Sequence, residues 1–217
     1  MESIADRLML LLILSDLALL GARQFRRVIL IAGLQGVLIG ALALASHHGP
    51  LTARALWLAA LGFGMRGLLF PWLLRLVARR TGAESLDQRL QPYIGYGKSL
   101  LLGIAMLAGA MSLGARMPLP ASPVSGLVVP AALFTMFTGL FLVIARRKAL
   151  RQCLGYVVLE NGIYAFGVAA VGEVPALVEL GALLDLFLAV LVMGVAVYQI
   201  TEEFDHMDTE KLDLLRG

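Results

Sequence analysis

Long apolar runs separated by short polar connections make up most of the chain. A helix needs about 20 apolar residues to cross the hydrocarbon core of a bilayer. By that measure the sequence predicts an all-α protein with seven transmembrane helices. Their predicted ranges are 4–22, 27–46, 53–77, 94–114, 124–145, 152–171 and 177–199. No long polar loop separates the runs, so we expect one membrane bundle followed by a polar tail, residues 201–217.

The basic residues cluster on alternate connections of this predicted bundle. The clusters are Arg23, Arg26 and Arg27; Arg75, Arg79, Arg80 and Arg89; and Arg146, Arg147, Lys148 and Arg151. The remaining connections contain only Arg54 and Arg116. Because Lys and Arg are enriched in cytoplasmic loops, we predict that all three clusters face the cytoplasm. Seven spans then place the N-terminus outside and the C-terminal tail inside.

The composition supports a membrane protein and argues against chemistry within the chain. Hydrophobic residues make up 59% of the 217 residues and charged residues 15%, whereas soluble domains average about 25% charged. Cys153 is the single cysteine, which excludes an internal disulfide and a cysteine-ligated iron–sulfur or nickel site. No phosphate-binding or nucleophile motif is present. We expect no catalytic residue, metal, cofactor or nucleic-acid partner, and contact with the lipid bilayer. Acidic residues replace a basic leader, so the first span is expected to be retained.

Glu160 and Asp185 are carboxylates placed inside the sixth and seventh predicted spans. An ionisable side chain at the bilayer centre costs at least ~2.5–3.5 kcal/mol on insertion scales. Glu160 lies about 13 Å into its span and Asp185 about 15 Å into the next, both near the midplane. Two such groups on consecutive spans indicate proton transfer within the membrane. A purely structural ion pair is the alternative for each.

Four other residues belong to the predicted proton-transfer site. Tyr156 and Tyr164 lie one turn before and after Glu160, so their hydroxyls share its helical face. Arg66, in the third span, is the candidate cation within this chain; a cation from another subunit is the alternative. Arg66 could equally be a structural partner or reach toward an interface. Glu179 lies closer to the outer surface and is expected at an entrance or interface.

Other polar and small residues of the spans are expected to be structural. Asp16 lies near the cytoplasmic end of the first span, and we expect it to form a helix-end ion pair with Arg23. Thr135 is expected to bond back to its own helix. Gly36 and Gly103 lie on faces rich in small residues, which predict close helix packing.

The stretch from Arg146 to Gly162, with Gly-Tyr-Val-Val-Leu-Glu-Asn-Gly at 155–162, resembles the small K subunit of bacterial respiratory complex I. That subunit has three spans, a basic loop, and carboxylates in its second and third spans. Residues 124–199 follow this layout, and the Leu-Leu-Arg-Gly terminus resembles its tail. With four further spans before it, the chain looks like component E of hydrogenase-4 and related formate hydrogenlyase complexes.

The resemblance implies three regions. They are an N-terminal four-helix membrane region, 1–122; a three-helix region similar to the K subunit, 123–200; and a cytoplasmic tail, 201–217. It implies a non-catalytic subunit of a group 4 [NiFe]-hydrogenase-type oxidoreductase in the bacterial inner membrane. Glu160 matches the first membrane glutamate of the K subunit, and Asp185 takes the place of the second. The shorter aspartate departs from the glutamate usual there.

The partners implied are antiporter-like and other membrane subunits, and peripheral redox subunits on the cytoplasmic side. Two alternatives remain open at this point. One is a structural bundle that only anchors neighbouring subunits. The other is a subunit of a cation/proton antiporter, whose C component also resembles the K subunit but generally has three spans.

Overall fold

The computed structural model describes residues 2–45, 64–80, 94–117, 126–146, 149–171 and 193–194, and every regular element among them is helical. The helices are α1 (Glu2–Gly21), α2 (Phe25–Ala45), α3 (Phe70–Arg80), α4 (Tyr96–Arg116), α5 (Val128–Ala145) and α6 (Ala149–Val171). One π-helical turn, Met65–Leu69, leads directly into α3. The bundle is therefore all-α over its described part, as the apolar runs predict.

The predicted spans one, two, four, five and six each correspond to one helix, with ends that differ by a few residues. Within the described residues, three helical segments are long and apolar enough to cross a membrane by length and composition: Phe25–Leu42, Tyr96–Arg116 and Val128–Ala145. The first half of the third span and nearly all of the seventh lie outside the described residues. A count of seven crossings, and the side on which each end lies, stay predictions.

Helices α5 and α6 form the most extensive contact between the described helices. Glycines allow their backbones to touch. A Cβ at Gly162 would lie 2.6 Å from the Met136 nitrogen, and one at Gly155 would lie 2.7 Å from a backbone nitrogen of α5. A Cβ at Gly139 would overlap the Leu159 backbone. Small residues give close approach in lipid, where packing rather than the hydrophobic effect holds helices together.

Helix α5 also packs against α1 and α4. Pro130 occupies its first turn, where a missing N–H costs no helical hydrogen bond, and packs on Gly114 of α4. Helix α4 buries only Ser99, Gly103 and Ala110. Gly103 packs against Leu20 of α1. The expectation that Gly103 faces a neighbouring helix is confirmed, and most of the large apolar side chains of α4, such as Leu101, Ile104 and Leu113, are exposed.

Arginines of two predicted cytoplasmic clusters meet at one end of the bundle, around the ring of Tyr96. The guanidinium of Arg146, which is buried, lies 4.8 Å from the ring centroid and donates to the Leu20 carbonyl at the end of α1. Arg151 donates to the Arg23 carbonyl at 2.6 Å. Guanidiniums thus satisfy carbonyls at and just beyond a helix C-terminus, which have no partner inside the helix. The connections α1–α2 and α5–α6 share one end, as their basic residues predict.

Candidate functional site

Arg66 and Glu160 form an ion pair in the interior of the bundle. The Arg66 Nη2 donates to Glu160 Oε1 at 3.0 Å, and the two side chains are 6% and 3% exposed. Burying a charge is costly unless an opposite charge and further hydrogen bonds compensate it. The structure thus brings Glu160 together with Arg66, the candidate cation of the sequence.

Arg66 is held in place by its backbone as well as by its charge. It lies in the π-helical turn, which packs on α2 where α2 has glycines. A Cβ at Gly36 would lie 2.7 Å from the Arg66 carbonyl carbon, and one at Gly33 would lie 3.0 Å from the Pro71 ring. Any other residue at Gly36 would displace the turn. Single π-helical turns occur frequently at functional sites, and this one presents a guanidinium to α6.

The two tyrosines take different positions beside the ion pair. The Arg66 guanidinium carbon lies 4.5 Å from the ring centroid of Tyr164, one turn after Glu160. A cation over an aromatic face is attracted by the ring quadrupole. Tyr156, one turn before Glu160, is partly exposed and lies within electrostatic reach of the Glu160 carboxyl. Both tyrosines share the face of Glu160, as their spacing predicts.

We expect Tyr164→Leu to destabilise the protein by about 0.5–2 kcal/mol, because the desolvated guanidinium loses its aromatic face. Tyr164→Phe keeps the ring and is the matched control, and we expect its loss of the cation–π contact energy to be near zero. Thermal unfolding of the purified protein in detergent measures both. An equal loss in the two variants would assign the effect to the hydroxyl rather than to the cation–π contact.

Several buried side-chain polar atoms of α2, α5 and α6 have no hydrogen-bond partner among the described residues. They are both side-chain polar atoms of Asn161, which follows Glu160, together with the Thr138 hydroxyl and the Gln35 carbonyl oxygen. Thr138 lies at the depth of Glu160, because its neighbour Gly139 abuts Leu159. Buried polar groups are normally satisfied, commonly by ordered water. The surroundings of Glu160 therefore suit bound water.

A second buried carboxyl, Asp16, lies between α1, α2 and α5. It is fully buried. Its Oδ1 accepts from Gln35 Nε2 at 2.7 Å, and its Oδ2 accepts from the Thr135 hydroxyl at 2.7 Å. Gln35 Nε2 also donates to Ser15 Oγ at 2.9 Å. The structure thus holds a polar cluster of Asp16, Gln35, Thr135 and Ser15.

The expected ion pair between Asp16 and Arg23 is therefore wrong. Arg23 lies beyond Gly21, the last residue of α1, and its guanidinium is directed at the Tyr96 ring. Asp16 lies more than a turn inside the helix and faces α2 and α5. Thr135 does bond to the Ala131 carbonyl at 2.9 Å as expected, but the same hydroxyl also reaches Asp16. The sequence signal for this cluster was present as polar residues in three apolar runs.

The remaining predicted residues lie outside the described part of the chain. Asp185, Glu179 and the tail, 201–217, are in this group, so their roles stay predictions. Within the described residues, no group of three or more His, Cys, Asp and Glu side chains could hold a metal ion. Cys153 is a free, buried thiol. The functional groups of the site, as far as the structure describes it, are thus carboxyls, hydroxyls, amides and one guanidinium.

Comparisons with known proteins give two kinds of relative. Uncharacterized protein Rv0085 of Mycobacterium tuberculosis is 31% identical over 208 residues, which cover 94% of this chain and 92% of that protein. Hydrogenase-4 component E of Escherichia coli K12 and that of Shigella flexneri are each 26% identical over 164 residues, 75% of this chain and 73% of theirs. No protein-family model matches the chain. No solved structure matches it.

Proposed function

The chain belongs to the same family as the mycobacterial protein Rv0085, and from this premise we propose that it is a non-catalytic membrane subunit of a hydrogenase-type, complex I-related oxidoreductase. In this proposal Glu160 and Asp185 are stations of a proton-transfer path inside the membrane, with Arg66, Tyr156 and Tyr164 beside the first. Glu179 is a group at the entrance. The distant relation to hydrogenase-4 component E supports the class of complex.

The buried pair of Glu160 and Arg66 is the observation that carries this proposal. A proton station in the membrane must be able to hold a charged form, and a nearby cation stabilises the charged form of a carboxyl. Arg66 provides that cation at 3.0 Å. The unsatisfied polar atoms of Asn161 and Thr138 mark places for water close to the carboxyl. A proton arriving at Glu160 would neutralise it and leave the guanidinium held by the Tyr164 ring.

The proposed partners follow from the name of the distant relative and from the resemblance to the K subunit. We infer antiporter-like membrane subunits at the lipid-facing surface of the bundle, where α4 presents Leu101, Ile104 and Leu113. Peripheral redox subunits would lie on the cytoplasmic side, which the basic residues mark. The electron-transfer chemistry belongs to those subunits. The inner membrane of a bacterium is the proposed location.

The proposal is tested in the assembled complex in inverted membrane vesicles. We expect Glu160→Gln and Asp185→Asn each to lower proton translocation per turnover by roughly a hundredfold, the lower part of what a positioned proton-transfer group contributes. A pH-sensitive dye follows translocation, and the donor-dependent redox rate is the denominator. Native gels establish that the complex is intact. Unchanged coupling in intact complexes of both variants contradicts the proposal.

A purely anchoring role is the second candidate, and two observations favour it. The ion pair ties the π-helical turn to α6, and the glycine contacts of α5 and α6 make a rigid unit on which neighbours could assemble. This candidate predicts that Glu160→Gln lowers the yield of complex on native gels while each intact complex translocates protons normally. The ratio of translocation to turnover in purified complex separates the two functions.

A further inference from the structure

Resting on the proposed function, we propose that Asp16 is a further proton station of the same path, with Thr135 and Gln35 as its positioning residues. Asp16 lies in the N-terminal helices, which have no counterpart in the K subunit that the C-terminal region resembles. The path would then extend from α6 across α2 and α5 to α1.

The first support is that the Asp16 carboxyl is buried without a cation beside it among the described residues. Asp16 is fully buried, and among the described residues no Lys, Arg or His lies within ion-pair distance of its carboxyl. The groups that face it are all neutral: Ser15 from its own helix, Gln35 from α2 and Thr135 from α5. An isolated ionised carboxyl in an apolar interior is so costly that proteins hold it only with strong hydrogen bonds or with a bound proton. Asp16 has the surroundings for both.

The second support is the Thr135 hydroxyl, which has one hydrogen and two acceptors. Its oxygen lies 2.7 Å from Asp16 Oδ2 and 2.9 Å from the Ala131 carbonyl oxygen. When Asp16 is ionised, the hydroxyl donates to Oδ2. When Asp16 carries a proton on Oδ2, the acid donates to the hydroxyl oxygen, and the hydroxyl donates to the Ala131 carbonyl instead. Either state keeps every heavy atom in place, since a hydroxyl is donor and acceptor at once.

A hydrated proton that reaches Asp16 forms an O–H bond at Oδ2, the water that carried it is released, and the carboxylate becomes a neutral acid. On release, that O–H bond breaks and the proton returns to water. Throughout, one N–H of Gln35 donates to Oδ1 and the other donates to Ser15 Oγ, while Ser15 donates to the Leu12 carbonyl at 2.6 Å. The amide therefore fixes the carboxyl without exchanging a proton.

The third support is the position of this cluster beside the ion pair. Gln35 immediately precedes Gly36, whose backbone is in contact with Arg66. Thr138, one turn from Thr135 on α5, lies at the depth of Glu160. The Gln35 carbonyl oxygen and the Thr138 hydroxyl have no partner among the described residues. Gln35 and Thr138 belong to α2 and α5, the two helices that also hold Asp16 by hydrogen bonds. Water bound to these two atoms would extend the polar cluster from Asp16 toward Glu160.

Infrared spectroscopy of the full chain in lipid nanodiscs tests proton binding directly. We expect a protonated carboxyl band that changes with pH and disappears in Asp16→Asn. The amide oxygen of this variant can accept from Gln35 while its NH2 donates to the Thr135 hydroxyl, as the protonated acid would. The band should shift to higher frequency in Thr135→Val, which removes the hydroxyl, and stay in place in Thr135→Ser. Two results would overturn the proposal. One is that no Asp16 band is seen at any pH, and the other is that the Asp16 band has the same intensity at every pH.

Coupled proton translocation in the assembled complex then tests the place of Asp16 in the path. We expect Asp16→Asn to lower translocation per turnover by roughly a hundredfold, like Glu160→Gln. A loss in Glu160→Gln alone would remove Asp16 from the path and leave the proposed function standing. Normal translocation in Asp16→Asn, Glu160→Gln and Asp185→Asn would overturn the proposed function itself, and the role of Asp16 with it.

Discussion

Replacing Glu160 with Gln is expected to destabilise the protein by about 3–5 kcal/mol, because a buried charge then loses its opposite charge. The Arg66 side chain, 6% exposed, would remain in the interior without the carboxylate it contacts here. Removing both charges by adding Arg66→Gln should recover most of the loss, since a buried ion pair replaced by neutral groups is often close to neutral in stability. Denaturation in mixed detergent micelles measures the three variants against the parent.

Arg79→Gln is the matched control for this cycle, because Arg79 is an exposed arginine of α3. We expect it to change the unfolding free energy by no more than about 0.5 kcal/mol, as surface substitutions usually do. A loss in Glu160→Gln as small as in this control would mean that the pair contributes little to folding.

The double variant also distinguishes the two candidate functions. It has a stable bundle but lacks the carboxyl. If Glu160 relays protons, the double variant assembles and still translocates poorly. If the pair only anchors helices, assembly and translocation return together. In a proton-relay role, the double variant therefore regains stability but not proton translocation. In an anchoring role, it regains both.

Replacing Gly139 with Leu should be the most damaging change in the contact between α5 and α6. A side chain there would overlap the backbone of Leu159, so the helices must separate or rotate. Overpacking typically costs 1–3 kcal/mol of stability and occasionally more. Because the added side chain would meet backbone atoms, which cannot move aside as a side chain can, we expect a loss of about 3 kcal/mol or more. Because Glu160 follows Leu159, rotation of α6 would also move the carboxyl from Arg66. Loss of folded protein in fluorescence-detected size exclusion measures the first effect.

Gly109→Leu on α4 is the control, since a Cβ at Gly109 has no atom within 4 Å. It adds the same side chain to a glycine of an apolar helix, and we expect near-normal folding. Equal damage in both variants would indicate an effect of glycine content rather than of the contact.

The presence of the helices and their approximate ends could be predicted from the sequence. A helix that crosses a membrane needs a long apolar run, and the length of such a run can be counted directly. The face shared by Tyr156, Glu160 and Tyr164 could also be predicted, since helical spacing is fixed by backbone geometry. Glu160 could be singled out because it is an acidic residue inside a long apolar run.

The three-dimensional packing decided what each of those faces meets. The sequence offered Arg66 only as one candidate cation, and the contact of the π-helical turn with Gly36 selected it. For Asp16, proximity to Arg23 in the chain suggested an ion pair, whereas rotation of α1 against α5 placed the carboxyl on Thr135 instead. The physical reason is that helix rotation and contact partners depend on small residues distributed over several helices. Local sequence therefore determines which residues share a face, and only the assembled bundle determines which charges and hydroxyls meet.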